Sequence, residues 1–400
     1  MPMFSKISLL LALLAAPLFG VEKFEVNLSA SAKTLPIRVT SGSPALQALA
    51  VRAFNTHGRY RLVGAGTGAL YNIAFSGAGG NAVRVDVTRG TDNQSVASET
   101  VTESTLNRSL FKAADFAVEK TNGQGLRGYF SSLITFAGGS GHNKSIYTSD
   151  LFLTAGAVRR VVSDGHDLLF PRWSPDGTRI IYTSYLHGFP DIYVANLATM
   201  QRSTFASFKG TNMSARYSPD GSHVAMILTG TGNPEIWVSD AQGHGLLRRT
   251  RSEVAKSSPC WSPDGRSIIF AQDPGPQLYT MSAFGGSSTR IAGGLGTYEA
   301  EPDWIHTDRG DRIAFTVRER SSGAYQIGRY DFTSAPKVVS NAPFDGVEPS
   351  WLPDGRHVVY TARDQSTSAL CILDTETGKS TPLSLGRISG PVFQANVLRR

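Results

Sequence analysis

Beyond residue 130 the chain alternates short apolar runs with turns rich in proline, aspartate and glycine. The runs Ile180-Ile181-Tyr182, Val224-Ala225-Met226-Ile227, Ile268-Ile269-Phe270, Ile313-Ala314-Phe315 and Val358-Val359-Tyr360 are β-branched or aromatic and too short for helices. Each follows an aromatic residue and a turn. Trp173-Ser174-Pro175-Asp176-Gly177 recurs as Tyr217-Ser218-Pro219-Asp220-Gly221, as Trp261-Ser262-Pro263-Asp264-Gly265 and as Trp351-Leu352-Pro353-Asp354-Gly355. Trp304-Ile305-His306, followed by Asp308-Arg309-Gly310-Asp311, keeps the aromatic and changes the turn. Proline presets φ, aspartate bonds locally and glycine takes the left-handed residue, so each motif predicts a hairpin. Third strands such as Ile192-Tyr193-Val194, Ile236-Trp237-Val238 and Leu370-Cys371-Ile372-Leu373 follow, and a further turn leads to a fourth.

Successive aromatics lie 44, 44, 43 and 47 residues apart. Four-stranded units at that period predict propeller blades. Gly390-Pro391-Val392-Phe393 aligns with Glu348-Pro349-Ser350-Trp351, which puts Phe393 at the aromatic place, with Gln394 where the turn serine would be. Residues 130–136 and 145–153 read as second and third strands with no first strand before them. The C-terminal strand fills that gap and closes the ring, hiding sheet edges that would otherwise be exposed. The expectation is a mostly β fold: a six-bladed β-propeller over residues 127–400 with circular, C-terminal-strand closure. Residues 21–126 carry no repeat and predict a small α/β domain, with strands near 35–39, 60–63, 71–75 and 83–88 and helices over 44–54 and 106–119. Ser43 caps the first helix and Pro44 opens it. Glycines 123, 125 and 128 mark the junction with the ring.

Residues 1–20 read as a cleaved secretory signal: Lys6, then twelve apolar residues over 7–18, then Gly20. That run is too short to span a membrane, so the mature chain is expected in an exported compartment without membrane insertion. Charged residues make up 18% of the chain and the net charge is +7, with no Lys/Arg block of the kind that binds nucleic acid. Cys260 and Cys371 fall two blades apart, on an inner and an outer strand, and are expected as two buried free thiols.

Motifs with chemical promise read as structure. Gly64-Ala65-Gly66-Thr67-Gly68-Ala69 resembles a dinucleotide fingerprint, but a strand follows where the phosphate-facing helix is needed, so a hairpin turn is expected. Gly378-Lys379-Ser380 lacks the earlier glycine of a phosphate loop, and Arg309-Gly310-Asp311 lies in a blade turn. The eight histidines show no zinc-type helical spacing, and His223 and His357 recur as hairpin-edge residues. No nucleophile elbow and no acid–base pair emerges, so no catalytic, cofactor or metal residue is assigned.

The leader, the α/β domain and the six-bladed ring of Trp-Ser-Pro-Asp-Gly repeats together resemble the TolB family of the Tol–Pal envelope system. The linker Leu126-Arg127-Gly128-Tyr129 adds to the likeness. The resemblance implies a non-enzymatic periplasmic scaffold, monomeric and without cofactor. It would bind a peptidoglycan-associated lipoprotein through one propeller face and a TolA-like inner-membrane protein through the mature N-terminus, supporting outer-membrane integrity and constriction at division. Loops leading into the first strands gather on one face with those between second and third strands. They supply Asp167, Lys209, Asn212, Arg251, Lys256, Glu299, Glu301, Asp345 and Glu348 as the expected partner face. Glu301 and Glu348, each three residues before its tryptophan, should be neighbours near the channel, either as an acidic patch opposite Arg251 and Lys256 or as caps on adjacent backbone. The alternative is an exported propeller hydrolase or glycan binder with a metal or carboxylates at the channel mouth.

Overall fold

The structure, a computed structural model, describes residues 34–291, 293–383 and 390–399. The expected leader and the residues at 21–27 lie outside the described residues. The front domain is a five-stranded sheet with two helices packed against it. Its elements are β1 (Leu35–Ser41), α1 (Pro44–Thr56), β2 (Tyr60–Leu62), β3 (Tyr71–Gly77), β4 (Ala82–Arg89), β5 (Ser95–Thr102) and α2 (Leu106–Thr121). The Ser43 hydroxyl accepts from the Leu46 amide at the start of α1, and Thr105 does the same for Arg108 in α2. Both caps satisfy amides that a helix start leaves unpaired. Val83, Val85 and Val87 of β4 are fully buried on one face, against Leu110, Ala114 and Val118 of α2 in the same core. The sheet order is β2-β1-β3-β4-β5, with β1 parallel to both neighbours. The glycine-rich segment at 64–69 therefore crosses over β1 and is not a hairpin turn. Arg38 holds it there, donating to the carbonyls of Gly64 and Thr67.

The ring has six four-stranded antiparallel blades. Blade 1 joins the C-terminal strand Val392–Leu398 to Leu133–Gly138, Ser145–Asp150 and Arg159–Ser163. Blade 2 runs from Leu168–Trp173 to Arg202–Ala206, blade 3 from Asn212–Tyr217 to Leu247–Arg248 and blade 4 from Lys256–Trp261 to Thr289–Arg290. Blade 5 runs from Gly296–Thr307 to Lys337–Val338, and blade 6 from Asp345–Trp351 to Ser380–Pro382. The C-terminal strand closes the ring as expected, but its register differs from the sequence alignment. The irregularity in its pairing falls between Phe393 and Asn396, as that of blade 6 falls between Val347 and Ser350. Val397, not Phe393, thus holds the aromatic place. Pro391 misled the alignment because in blades 2, 4, 5 and 6 a proline precedes the aromatic by two residues.

The Ser-Pro-Asp-Gly turns face one side of the ring, the turn face; the loops leading into the innermost strands and those between second and third strands face the other, the mouth face. In the turn of blade 2, Ser174 Oγ donates to Asp176 Oδ1 at 2.5 Å and accepts from the Arg179 amide at 2.9 Å, while Asp176 accepts from the Thr178 amide. Blades 3 and 4 repeat these bonds through Ser218 and Asp220, and Ser262 and Asp264. The serine hydrogen bond holds the Asp176 and Asp220 carboxyls down at about 2.

Candidate functional site

Every innermost strand carries one residue with left-handed backbone three places before the aromatic position. These are Phe170, Ser214, Ser258, Glu301, Glu348 and Gln394, with φ between 51° and 58°. The extra residue turns these side chains toward the central channel. A relay of hydrogen bonds follows. Glu301 Oε2 accepts from the Glu348 amide at 3.2 Å, and Glu348 Oε2 accepts from the Gln394 amide at 3.2 Å. Gln394 Oε1 then accepts from the Phe170 amide at 2.8 Å. Each bond crosses from one blade to the next. The two glutamates are neighbours beside the channel as expected, and they cap adjacent backbone. Burial, and then the Glu348 charge, push the Glu301 carboxyl up to about 7. Glu348 is raised as well, chiefly by burial. The void beside them is about 30 Å³, roughly the share of one water molecule.

The remaining expected partner-face residues divide into two groups. Asn212 is buried and bonds Asp191 and the carbonyl of Phe208. Lys256 is buried against Ser252, the Val254 carbonyl and Glu235. Glu299 is buried and accepts from the amides of Gly294 and Leu295. These three hold loops and cannot meet a partner, a correction to their place in the expected face. Alternating sequence cannot distinguish a buried charge that ties down a loop from one that faces water. Lys209 and Arg251 are exposed on the mouth face. Asp167 there is ion-paired to Lys144 and His142, and Asp345 accepts from the Tyr325 amide. Two aromatics missed in the sequence stand beside them: Phe189 is 71% exposed and Phe208 47%.

The turn of blade 6 departs from those of blades 2, 3 and 4, and there the front domain docks. Leu352 replaces the serine and is fully buried in one core with residues of the front domain. Without that serine, Asp354 accepts from the amides of Arg356 and His357 and from His357 Nδ1, the last at 2.5 Å. His357 is wholly buried, not a hairpin-edge residue, and its Nε2 lies 3.3 Å from Asp374. Arg356 clamps Asp374 at 2.6 Å and Glu376 at 2.9 Å. Burial opposes charge on His357, but the carboxylates of Asp354 and Asp374 outweigh it and raise its pKa to about 9. From the front domain, buried His57 lies with its ring 4.5 Å from that of His357, stacked on Tyr129. Burial and then the charges of His357 and Arg356 hold its pKa well below the usual range. His57, Asp354 and His357 bring ligand-type atoms within 4.8 Å of one another. The 2.5 Å contact between Nδ1 and Oδ2 is a charged hydrogen bond, far closer than two ligands of one metal, so the group fits a proton better than a cation.

Fold and site together define a six-bladed propeller with circular closure and an α/β domain seated on its turn face. The family model described as the TolB beta propeller domain matches residues 119–394, and the chain belongs to that family. The Tol-Pal system protein TolB of Bordetella parapertussis is 34% identical over 298 residues, 73% of this chain and 65% of that protein. The protein of that name from Bordetella pertussis is 34% identical over 191 residues, 47% of this chain and 42% of its own length. The matched part is thus less than two thirds of either relative. The solved structure of TolB from Acinetobacter baumannii superposes with a TM-score of 0.79 at 22% identity, covering 94% of this chain and 99% of that one. A chain of the nidogen/laminin complex reaches 0.55 at 10% identity, covering 67% of this chain and all of its own. Both likenesses speak to the fold alone.

Proposed function

We propose that this chain is a non-enzymatic, periplasmic scaffold of the Tol–Pal system, monomeric and without cofactor. Its mouth face binds a peptidoglycan-associated lipoprotein, and its N-terminal segment, outside the described residues, meets a TolA-like inner-membrane protein. In that role it supports outer-membrane integrity and constriction at division. Beyond family membership, one observation carries the reading. The front domain seats on the turn face at Asp374 and His357, which leaves the mouth face of blades 2 and 3 open with Phe189 and Phe208 standing out of it. Exposed aromatics ringed by charge are what protein interfaces use as anchors. The contrasting hydrolase reading finds little support at the channel glutamates, because a void of about 30 Å³ admits no sugar or ester.

The test is capture. Immobilised protein should retain the peptidoglycan-associated lipoprotein of its own envelope, and Phe189→Asp with Phe208→Asp should weaken that retention at least tenfold while thermal unfolding stays unchanged. Retention by the parent that the double variant leaves intact moves the partner to another face. No retention at all overturns the scaffold reading.

A further inference from the structure

Below the glutamates the channel changes sign. Arg172 and Arg216 line both the small void beside Glu301 and Glu348 and a second, larger cavity toward the turn face. That cavity measures about 300 Å³, and Arg399 joins its wall together with Trp173, Tyr217 and Trp261. Arg216 reaches Asp303 at 3.1 Å and Arg399 reaches the same oxygen at 2.9 Å. Arg172 has no carboxylate within 4.0 Å among the described residues, and it donates to the carbonyl of its neighbour Pro171. Asp303 and then Glu348 act on it only through space. Three guanidinium groups therefore share one bonded carboxylate. Burial and the Arg216 charge lower the Arg172 pKa to about 10, the mark of a cation short of compensation.

Beside these cations, one neutral donor in the wall lacks a partner among the described residues. The indoles of Trp261 and Trp351 donate to the carbonyls of Arg216 and Asp303 in the blade before them. The indole nitrogen of Trp173 is buried with no acceptor among the described residues. Buried charge and buried donors are costly unless paired, and a guanidinium fork is shaped to take two oxygens of one anion. The cavity's lining holds no Asp or Glu among the described residues, and its volume is in the range of small-molecule pockets.

We propose that the arginine-lined cavity on the turn side of the channel is a binding site for a small oxyanion, a carboxylate or a phosphate group held by Arg172, Arg216 and Arg399. The site is separate from the mouth face and stands whether or not the Tol–Pal reading does. Charge decides the orientation: the glutamate pair closes the mouth side to anions, so the ligand enters between the turns at Pro175, Pro219 and Pro263. The aromatic wall leaves room for a short organic body behind the charged head.

Isothermal titration of the full chain with citrate, and separately with inorganic phosphate, tests this at constant ionic strength with chloride as the background anion. Saturable one-to-one binding of either is expected, and which of the two binds tells carboxylate from phosphate chemistry. Arg172→Gln and Arg399→Ala should each weaken it at least tenfold, and Arg84→Ala, on the front domain, should leave it alone. Arg172→Lys, which keeps the charge and loses the fork, should bind more weakly than the parent and more tightly than Arg172→Gln. Should Arg172→Gln fail to fold, Arg399→Ala near the chain end carries the test. Absence of binding by both anions, or binding that neither arginine variant alters, overturns the proposal.

Discussion

Six residues of different chemistry share a left-handed backbone at one register, although that conformation costs a non-glycine residue about 1–2 kcal/mol. Its recurrence around the ring means the inter-blade bonds it permits outweigh that cost. Glu301 is the member whose charge is least at home. Its folded pKa, about 7, lies above the unfolded value, so the folded state favours the protonated form. Its contribution is intact below the unfolded pKa and is lost as pH rises through 7. Glu301→Gln keeps an acceptor for the Glu348 amide and removes the charge, so the variant should be more stable than the parent at pH 8 and equal to it at pH 4, measured by urea unfolding. His57 titrates in the opposite sense. A folded pKa below the unfolded 6.5 means stability is full above 6.5 and falls as pH drops beneath it. His357, raised to about 9, contributes fully below 6.5 and loses its contribution as pH rises through 9. Hydrogen-exchange protection of the joint, corrected for intrinsic rates, should therefore peak near pH 6.5, falling on the acid side through His57 and declining from 6.5 toward 9 through His357. The groups facing His57 are His357, Arg356, Asp374 and Arg59, with Tyr60 and Tyr129 packed alongside. His57→Phe should remove the acid limb, and an acid limb unchanged in that variant would assign it to the carboxylates instead.

Among elements, the blade hairpins were legible because their turn needs a fixed order of side chains. Ser174 receives an amide, Asp176 receives the serine, and Gly177 takes φ 69°. Two turns break that order, those of blades 5 and 6, and it is the turn of blade 6 that meets the front domain. Leu352 in place of serine is visible in the sequence, whereas His357 shares its place with His223 and reads there as a hairpin-edge residue; both face the front domain. Leu352→Ser would restore the common turn and remove a buried apolar side chain from the joint. It should cost about 2–4 kcal/mol, with the loss concentrated in exchange protection of α1 and blade 6, sparing blade 3. A uniform loss would mean that the front domain and the ring unfold as one. Other elements left no such mark. β5 is largely exposed and reads Ser-Val-Ala-Ser-Glu-Thr-Val-Thr, with little apolar alternation for a pattern to catch. The loop at 64–69 looked like a hairpin because a parallel partner for β2 and β3 lies earlier in the chain. Lys256 and Glu299 were misplaced for a related reason: what buries them is a loop, and loops have no period.

At the scale of the whole molecule, one strand carries the closure. Residues 392–398 supply the innermost strand of blade 1, so the first and last parts of the propeller are held by the same sheet. They also extend the channel network. Asn396 Oδ1 accepts from the Trp173 amide in blade 2 at 3.0 Å, and Ser350 of blade 6 accepts from the Val397 amide at 3.1 Å. Removing the strand would leave blade 1 with three strands, an exposed sheet edge and Phe170 without its Gln394 acceptor. A chain ending at Leu383 should therefore lose its sharp unfolding transition and associate through the free edge, as read by calorimetry and light scattering. The separate peptide spanning 390–400, added in excess, should restore part of that transition. A peptide carrying Val397→Asp should not, because Val397 is buried at the aromatic register. Rescue by both peptides alike would show that backbone pairing alone closes the ring. No effect of the truncation on unfolding would show that the remaining blades hold the circle without it.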